Sequence, residues 1–303
     1  MKETNLSSIL SEKRNERSED LDLMDTESIL TLMNDEDSRV AEAVRKAIPE
    51  IARAVEMIAS RFRQRGRLVY VGAGTSGRLA LIDALECPPT FGTPPEQVQA
   101  LIAGGKQAMF DPVEAAEDDA DAGARDVQQM GLNERDCVLG VSASGRTPYC
   151  IGAMTYAKSV GAAVISLSCN MQSAMGKIAD IDIAVPVGPE VLAGSTRLKA
   201  GTAQKMVLNM ISTASMVRTG HVYKNLMVDM IPTNFKLKQR AKQIVVTATG
   251  VDQATAEEAL QASSWRIKTA IVSLLTGMSS ERSDRLLQDA GGFVRKAIEA
   301  SKE

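Results

Sequence analysis

Short runs of consecutive apolar residues alternate with longer amphipathic segments through the middle of the chain. The apolar runs predict five buried strands, at 67–72, 98–103, 137–142, 162–168 and 181–187. The amphipathic segments predict helices at 76–86, about 112–130, 147–160, 173–178 and 197–219. Strands made almost entirely of Val, Ile, Leu and Ala are typical of parallel sheets covered on both faces. The pattern therefore predicts an α/β fold with three αβα layers and a five-stranded parallel sheet.

Helical patterns flank this central region on both sides. Apolar residues recur every three or four positions between Asp25 and Arg65, before the first strand. After Gly220, segments separated by glycine predict a small helical bundle, at 238–277, 279–289 and 292–302. We therefore predict three parts: an N-terminal helical segment (1–56), a central α/β domain (57–220) and a C-terminal helical region (221–303).

Composition excludes several classes of function. The 303 residues carry a net charge of −3, and aromatic residues make up only 3%. A nucleic-acid partner is not expected, because binding one needs a basic surface and usually stacking side chains. Residues 1 to about 25 are polar, and we expect them to be poorly ordered before a ligand binds. They hold no apolar stretch of signal-peptide length, and no run in the chain could span a membrane, so we expect a cytoplasmic protein with no membrane partner.

The residues that most often serve metal and nucleophilic sites are scarce. None of the four cysteines is in a C-x-x-C pair, and His221 is the only histidine. Small buried thiols in a reducing compartment are the favoured interpretation of the cysteines. A histidine-based zinc site and a Ser-His-Asp arrangement are both disfavoured, which leaves carboxylates or lysine for proton transfer. For His221 we favour a position at a helix end, where a cation is stabilised, over a catalytic role.

A glycine-rich segment, RLVYVGAGTSGR at Arg67–Arg78, predicts an anion-binding turn. The first strand runs into Gly72, Gly74, Thr75, Ser76 and Gly77, and a helix follows at once. Glycine lets the backbone approach a ligand, and a helix N-terminus presents free N–H groups. The spacing matches the dinucleotide fingerprint G-x-G-x-x-G. However, the second strand ends in Gly-Gly-Lys without the acidic residue of a dinucleotide fold, which weakens that interpretation.

Hydroxyl and glycine residues also follow the later strands. They are Ser142, Ser144, Gly145 and Thr147 after the third strand, Ser166 and Ser168 at the fourth, and Ser195 and Thr196 after the fifth. The loop after the fifth strand also contains Glu190, Arg197 and Lys199. Thr147 and Pro148 predict a second helix N-terminus, as N-cap and first helical residue. Any one of these loops is better explained as a capping turn. Four of them on one edge of a parallel sheet favour a phosphorylated, polyhydroxylated small molecule.

Three glutamates are candidates for acid–base chemistry. Glu86 is predicted to end the first helix of the sheet region, just before a rigid Cys87-Pro88-Pro89 turn. Glu190 lies among Gly, Pro and Ser, where a role on the solvated surface is less expected. Glu117 lies near Glu114 in an acidic segment, whose spacing alone favours a solvated helix face.

Three long segments resemble sugar isomerase (SIS) domains: GAGTSGRLALIDALECPPTFG, VSASGRTPYCIGAMTYAK and GPEVLAGSTRLKAGTAQKMVLNMIST. More narrowly, the chain resembles the bacterial N-acetylmuramic acid 6-phosphate etherases over nearly its whole length, from LMNDED at Leu32–Asp37 to DAGGFVRKAIE at Asp289–Glu299. Glucokinase regulatory proteins share the GPE…GSTRLKAGT signature, but they are larger and contain two SIS domains. One SIS domain in 303 residues favours the etherases.

The resemblance implies a lyase of peptidoglycan recycling that removes the D-lactyl ether of N-acetylmuramic acid 6-phosphate. Elimination followed by addition of water would give N-acetylglucosamine 6-phosphate and D-lactate, with no metal or other cofactor. The family implies that Glu86 protonates the leaving lactyl oxygen and that Glu117 is the second active-site acid. The resemblance also makes Glu190 a candidate base, because it lies in a loop where SIS isomerases can hold one. The substrate-binding residues that follow from the resemblance and the loops are Gly74, Thr75, Ser76, Ser142, Ser144, Gly145, Thr147, Glu190, Ser195 and Lys199.

Two other functions stay open on the sequence. One is a non-catalytic phosphosugar-binding regulator, although Glu86 favours catalysis and no basic helix-turn-helix is evident. The other is a phosphosugar isomerase, which shares the removal of a proton from C2. The ECPPT and EAAED segments favour the etherase over both. Because SIS domains usually dimerise, we expect a homodimer whose sites are built partly from the neighbouring subunit.

Overall fold

The strands form one parallel sheet, as the sequence predicts. The computed structural model describes residues 13–302. Within them lie β1 (Leu68–Gly72), β2 (Val98–Ile102), β3 (Cys137–Ser142), β4 (Ala163–Ser168) and β5 (Ile181–Ala184). The strand order is β2-β1-β3-β4-β5, and every neighbouring pair is parallel. Their carboxyl ends therefore share one edge, where folds of this type bind ligands.

Helices precede, flank and follow the sheet. Before it come α1 (Thr26–Asp37), α2 (Val40–Lys46) and α3 (Ile48–Arg63). Between and after the strands lie α4 (Gly74–Phe91), α5 (Ala120–Gln129), α6 (Pro148–Ser159), α7 (Ala174–Ile178) and α8 (Lys199–Arg218). The remaining helices are α9 (Phe235–Thr249), α10 (Gln253–Ala262), α11 (Ile267–Thr276), α12 (Ser280–Asp289) and α13 (Val294–Ala300). The predicted α/β class, with helices before and after the sheet, is confirmed for the described residues.

The chain folds into two compact units. The first contains the described residues up to Ala84 together with Glu96–Ser212, and it holds the sheet. The second contains Leu85–Pro95 together with the described residues from Thr213 onward. Helices α4 and α8 each contribute residues to both units. The division into 1–56, 57–220 and 221–303 stays a prediction.

Helix α4 extends further than its sequence predicts. It does not stop at Glu86 but continues through Pro88 and Pro89 to Phe91. A proline lacks the N–H for one helical hydrogen bond, but its fixed φ is compatible with a helix. Helical bonding resumes after the two prolines, because the N–H of Gly92 donates to the Pro88 carbonyl at 2.9 Å. The predicted rigid turn is therefore wrong, and a proline-containing final helical turn takes its place.

The core of the first unit follows from the apolar strand sequences. Strands β1, β3 and β4 are buried along their whole length. On one face, strand valines pack against small and sulfur-containing side chains of α6, among them Cys150, Ala153 and Met154. All four cysteines are buried, and none forms a disulfide. Strands covered on both sides are the outcome expected for a parallel sheet.

Helices α5 and α6 approach each other closely at two glycines. A Cβ atom on Gly152 of α6 would overlap the carbonyl group of Ala120. A Cβ atom on Gly123 of α5 would overlap the carbonyl group of Tyr149. Each glycine therefore lets the backbone of the other helix fill the space that a side chain would take.

Replacing Gly152 with alanine is expected to lower the free energy of unfolding by about 1–3 kcal/mol, because the added methyl group forces the two helices apart. The steric cost of the methyl group should outweigh the better helix propensity of alanine, which favours the variant by about 1 kcal/mol. Urea denaturation would measure it. The matched control is Gly201→Ala in α8, where the nearest heavy atoms would lie at an ordinary 3.7 Å. Equal stability of the two variants would contradict the close packing of α5 on α6.

The second unit has its own apolar core. Residues from α9, α10 and α11 are central to it, including Val245, Leu260 and Ile271. Among residues 13–302, no helix has both the length and the apolar character that crossing a membrane requires. Over the same residues, no three His, Cys, Asp or Glu side chains are grouped as a metal site requires.

Candidate active site

The loop after β3 gathers hydroxyl groups around Ser142. The Ser142 Oγ atom lies 2.7 Å from Thr147 Oγ1 and 3.3 Å from Ser144 Oγ, and it accepts a hydrogen bond from the N–H of Gly145 (3.1 Å). Gly145 has a φ of +66°, and a Cβ atom there would overlap the side chain of Ser173. The turn therefore requires glycine. Four of the predicted binding residues lie within this one hydrogen-bonded loop.

The N-terminus of α6 follows this loop without a side-chain cap. Thr147 occupies the N-cap position and Pro148 is the first helical residue, as predicted, but the Thr147 side chain makes no capping hydrogen bond. The predicted N-cap position is therefore confirmed, but the Thr147 hydroxyl is bonded to Ser142 and not to the helix backbone. The hydroxyl groups and the first-turn N–H groups of α6 together can bind an anion through uncharged donors.

The loop after β1 leads directly into the first turn of α4, which contains Gly74, Thr75 and Ser76. The Ser76 hydroxyl donates to Oε1 of Gln204 in α8 at 2.9 Å, and both side chains are buried. Sequence reasoning did not single out Gln204. Its only signal was membership of the GTAQK segment that carries the family resemblance.

The start of α8 lies beside the loops that follow β3 and β4. Ala143, Cys169 and Ala200 form a small buried apolar cluster against Val187. The side-chain amide of Asn170 donates to the Ala143 carbonyl at 2.9 Å. The structure therefore brings the loops after β3, β4 and β5 together at the carboxyl edge of the sheet.

Glu190 caps α8 with both of its carboxylate oxygens. Oε2 accepts from the N–H of Lys199 at 3.0 Å, and Oε1 accepts from the N–H of Ala200 at 2.9 Å. The residue is 1% exposed. Burial raises the pKa of Glu190 above its ordinary value, although the two backbone hydrogen bonds favour the ionised form. The sequence makes Glu190 a candidate base. In the structure its carboxylate caps the N-terminus of α8.

The ammonium group of Lys199 forms a buried ion pair with Glu36 of α1. Its Nζ lies 2.5 Å from Glu36 Oε2, and both side chains are less than 5% exposed. Glu36 also pairs with Arg17 (2.6 Å) and Arg39 (3.3 Å). Burial alone would raise the pKa of Glu36, but hydrogen bonds from Lys199 and Arg17 outweigh burial and lower it from 4.5 to about 2. In the sequence, Glu36 belongs to the LMNDED segment that carries the family resemblance, and no local pattern assigns it a role.

The N-terminal segment is anchored to the loop before α8. The Ser18 hydroxyl donates to the Val191 carbonyl at 2.7 Å, and Asn15 Nδ2 donates to the Pro189 carbonyl at 3.3 Å. Asn15 also donates to Glu36 at 3.0 Å. Of the segment expected to be poorly ordered, residues 1–12 lie outside the described residues. Residues 13–25 contain two short 3₁₀ turns.

Glu117 lies in a 3₁₀ turn, Ala116–Asp118, and not on a long helix. Helix α5 begins only after Asp119, whose carboxylate caps it, so the predicted helix over 112–130 is wrong for its first part. Glu117 is exposed. With Gly74 and Glu114, it lines a cavity of about 170 Å³ that also includes the residues immediately after β1 and β2. The structure therefore places Glu117 beside the β1 loop.

Glu86 lies on α4 in the second unit, and its side chain is exposed. The end of this helix is held by His221, whose Nδ1 lies 3.0 Å from the carbonyl oxygen of Phe91 and 2.8 Å from Asp229 Oδ2. Lys268 pairs with the same Asp229 oxygen. His221 follows the end of α8, as favoured from the sequence, and it serves as an anchor for the helix that carries Glu86.

Two family models match the chain. The glucokinase regulatory protein N-terminal SIS domain matches residues 50–158, and the SIS domain matches residues 115–214. Among solved structures, a phosphoheptose isomerase from Francisella tularensis aligns with 62% of this chain and 98% of its own, with a TM-score of 0.49 and 19% identity.

Two curated relatives are much closer in sequence, and both are named N-acetylmuramic acid 6-phosphate etherase. The protein from Photorhabdus laumondii is 53% identical over 98% of this chain and 98% of its own. The protein from Geobacillus sp. strain WCH70 is 53% identical over 97% of this chain and 100% of its own. With an SIS-type sheet and an identity this high over nearly the full length of both proteins, the chain belongs to the N-acetylmuramic acid 6-phosphate etherase family.

Proposed function

We propose that this protein is a carbon–oxygen lyase that cleaves the D-lactyl ether of N-acetylmuramic acid 6-phosphate. The observation that carries the proposal is the group of uncharged donors at the carboxyl edge of the sheet, formed by Ser142, Ser144 and Thr147 before the N-terminus of α6. Such donors suit a sugar phosphate. The names of the full-length relatives identify which sugar phosphate.

The chemistry proceeds through the open-chain sugar. Removal of the C2 proton, which the C1 aldehyde makes acidic, is followed by breakage of the C3–O bond, and the lactyl oxygen leaves with a proton. Water then adds its oxygen to C3 and a proton to C2, so that the products are N-acetylglucosamine 6-phosphate and D-lactate. Glu86 is proposed to protonate the leaving oxygen, and Glu117 is proposed as the second acid–base group.

The phosphate and the lactyl carboxylate need separate donors. Thr75 and Ser76 at α4, with the Ser142 loop at α6, are proposed to bind the sugar phosphate. The ammonium of Lys199 is already bound to Glu36, so we propose that it orders the start of α8. Ser195 and the exposed Arg197 are then the donors proposed for the lactyl carboxylate. We also propose a homodimer in which the neighbouring subunit completes the site.

Turnover of N-acetylmuramic acid 6-phosphate in water enriched in oxygen-18 tests the reaction. We expect unlabelled D-lactate and one labelled oxygen at C3 of the sugar product, because elimination breaks the C3–O bond and water supplies the new hydroxyl. Label in the lactate would show that the other ether bond is cleaved. Tight binding of sugar phosphates without lactate would identify a regulator, and a ketose product would identify an isomerase.

A further inference from the structure

Gln204 has one end of its side-chain amide bonded and the other end without a partner. The residue is 1% exposed, and its side-chain Oε1 accepts a hydrogen bond from the Ser76 hydroxyl at 2.9 Å. Its Nε2 has no hydrogen-bond acceptor among residues 13–302. A buried N–H donor that stays unbonded is costly, so the hydrogen bonding around Gln204 is incomplete in this arrangement.

The hydroxyl of Ser76 cannot serve two acceptors at once. It has a single proton, and in this arrangement that proton is directed at Gln204 and away from any ligand. Rotation of the amide by 180° exchanges its oxygen and its nitrogen, which are nearly equal in size. Nε2 then donates to Ser76 Oγ, and the Ser76 proton becomes free to donate to a ligand. The rotation gives Nε2 an acceptor and releases the Ser76 proton, while Oε1 gives up its bond to Ser76.

The position of Ser76 identifies the chemistry of that ligand. Ser76 lies in the first turn of α4, directly after the β1 strand. The N–H groups of a helix N-terminus favour an anion, and a hydroxyl proton released at the same point adds one more donor. An anionic oxygen, such as that of a phosphate group, therefore matches the rotated arrangement.

We propose that Gln204 is a positioning residue that turns the Ser76 hydroxyl into a donor for the phosphate group of the substrate. This inference rests on the proposed function only in taking a sugar phosphate as the ligand. Gln204 itself touches Ser76 and not the reacting atoms. A carboxylate at this position could only accept, and it would keep the Ser76 proton directed away from the ligand.

A double-mutant cycle on ligand affinity tests the proposal, with N-acetylglucosamine 6-phosphate as the probe and calorimetry as the measurement. Gln204→Met is similar in size and uncharged, and we expect it to weaken binding about 5- to 10-fold. In a Ser76→Ala background the same substitution should change affinity less than 2-fold, since no hydroxyl is left to orient. Gln204→Glu should weaken binding more than Gln204→Met.

Ser212→Ala is the matched control. Ser212 lies on the same helix and donates to Asp83 of α4 at 3.0 Å, in a contact whose acceptor is also bonded to Asn209. Loss of the Ser212 hydroxyl should leave the affinity for the probe within about 2-fold of the wild-type value. A Gln204→Met effect that persists in the Ser76→Ala background would overturn the proposal, because it would show a packing role. Wild-type affinity in the Gln204→Met single variant would also overturn the proposal. The same holds if the wild-type protein does not bind N-acetylglucosamine 6-phosphate. Binding without lactate release would contradict the proposed reaction and leave this inference intact.

Discussion

Replacing Glu86 with glutamine is expected to lower kcat for lactate release by about 10²- to 10⁴-fold. Glutamine keeps the size and hydrogen-bonding reach of the side chain, but its amide has no acidic proton to give to the leaving oxygen. Because Glu86 is exposed on the surface of α4, the substitution should not alter stability by more than about 0.5 kcal/mol. Steady-state assays of D-lactate release, together with thermal unfolding, would measure both effects.

The kinetic pattern distinguishes an acid from a binding residue. An interaction made only in the transition state lowers kcat and kcat/KM together, so the affinity for N-acetylglucosamine 6-phosphate should be unchanged in Glu86→Gln. Glu96→Gln is the matched control, because Glu96 is an exposed glutamate shortly after the end of α4. If Glu86→Gln kept more than a third of the wild-type kcat, Glu86 would not be the general acid, and Glu117 would become the candidate.

Replacing Glu36 with glutamine is expected to lower the free energy of unfolding by about 3–5 kcal/mol at neutral pH. The substitution leaves the buried ammonium of Lys199 without its counter-charge and removes one of the two charged partners of Arg17. Asp35→Asn is the matched control, because Asp35 is half exposed and pairs with Arg17 at 3.0 Å. Its loss should cost less than about 1 kcal/mol. Chemical denaturation of both variants would measure the difference.

The contribution of Glu36 to the free energy of unfolding should decrease as the pH falls. Because the folded-state pKa is lowered from 4.5 to about 2, the carboxylate stabilises the fold fully above pH 4.5. That contribution, about 3 kcal/mol, is lost as the pH falls from 4.5 towards 2. The stability difference between wild type and Glu36→Gln should therefore shrink over this range. A difference that stays constant down to pH 2 would contradict the ion pair, and so would full stability of Glu36→Gln at pH 7.

Adding Lys199→Met to Glu36→Gln should recover part of the lost stability, because no buried charge then remains unmatched. The two substitutions should be strongly non-additive, since the residues share one contact. Additive losses would indicate that each side chain stabilises the fold independently of the other.

Local sequence patterns predicted the sheet because each strand is a short apolar run that packing covers on both faces. Strands such as Cys137–Ser142 have their predicted bounds. Helix ends were harder to predict, since they depend on whether a side chain bonds to the helix backbone or to another partner. Thr147 has the residue type of a cap but bonds to Ser142, and α4 continues through two prolines that usually end helices.

The hydroxyl loops were also predictable, because parallel strands bring their carboxyl ends to one edge. The roles of Glu36 and Gln204 were not, because each depends on a partner far away in the chain. Gln204 and Ser76 are 128 positions apart. No spacing or composition rule links such residues, and only the folded backbone brings them within hydrogen-bonding distance.

The ion pair between Glu36 and Lys199 also has a consequence for protein synthesis. Its two residues are 163 positions apart, and the bonds of Asn15 and Ser18 reach a similar distance to Pro189 and Val191. Helix α1 leaves the ribosome before Lys199, the distant partner of Glu36, has been translated. Strands β1, β2 and β3 can pair earlier, since all three are complete by residue 142. The N-terminal segment is therefore among the last parts of the first unit to reach its native position. It can dock only after the chain has been translated as far as the start of α8.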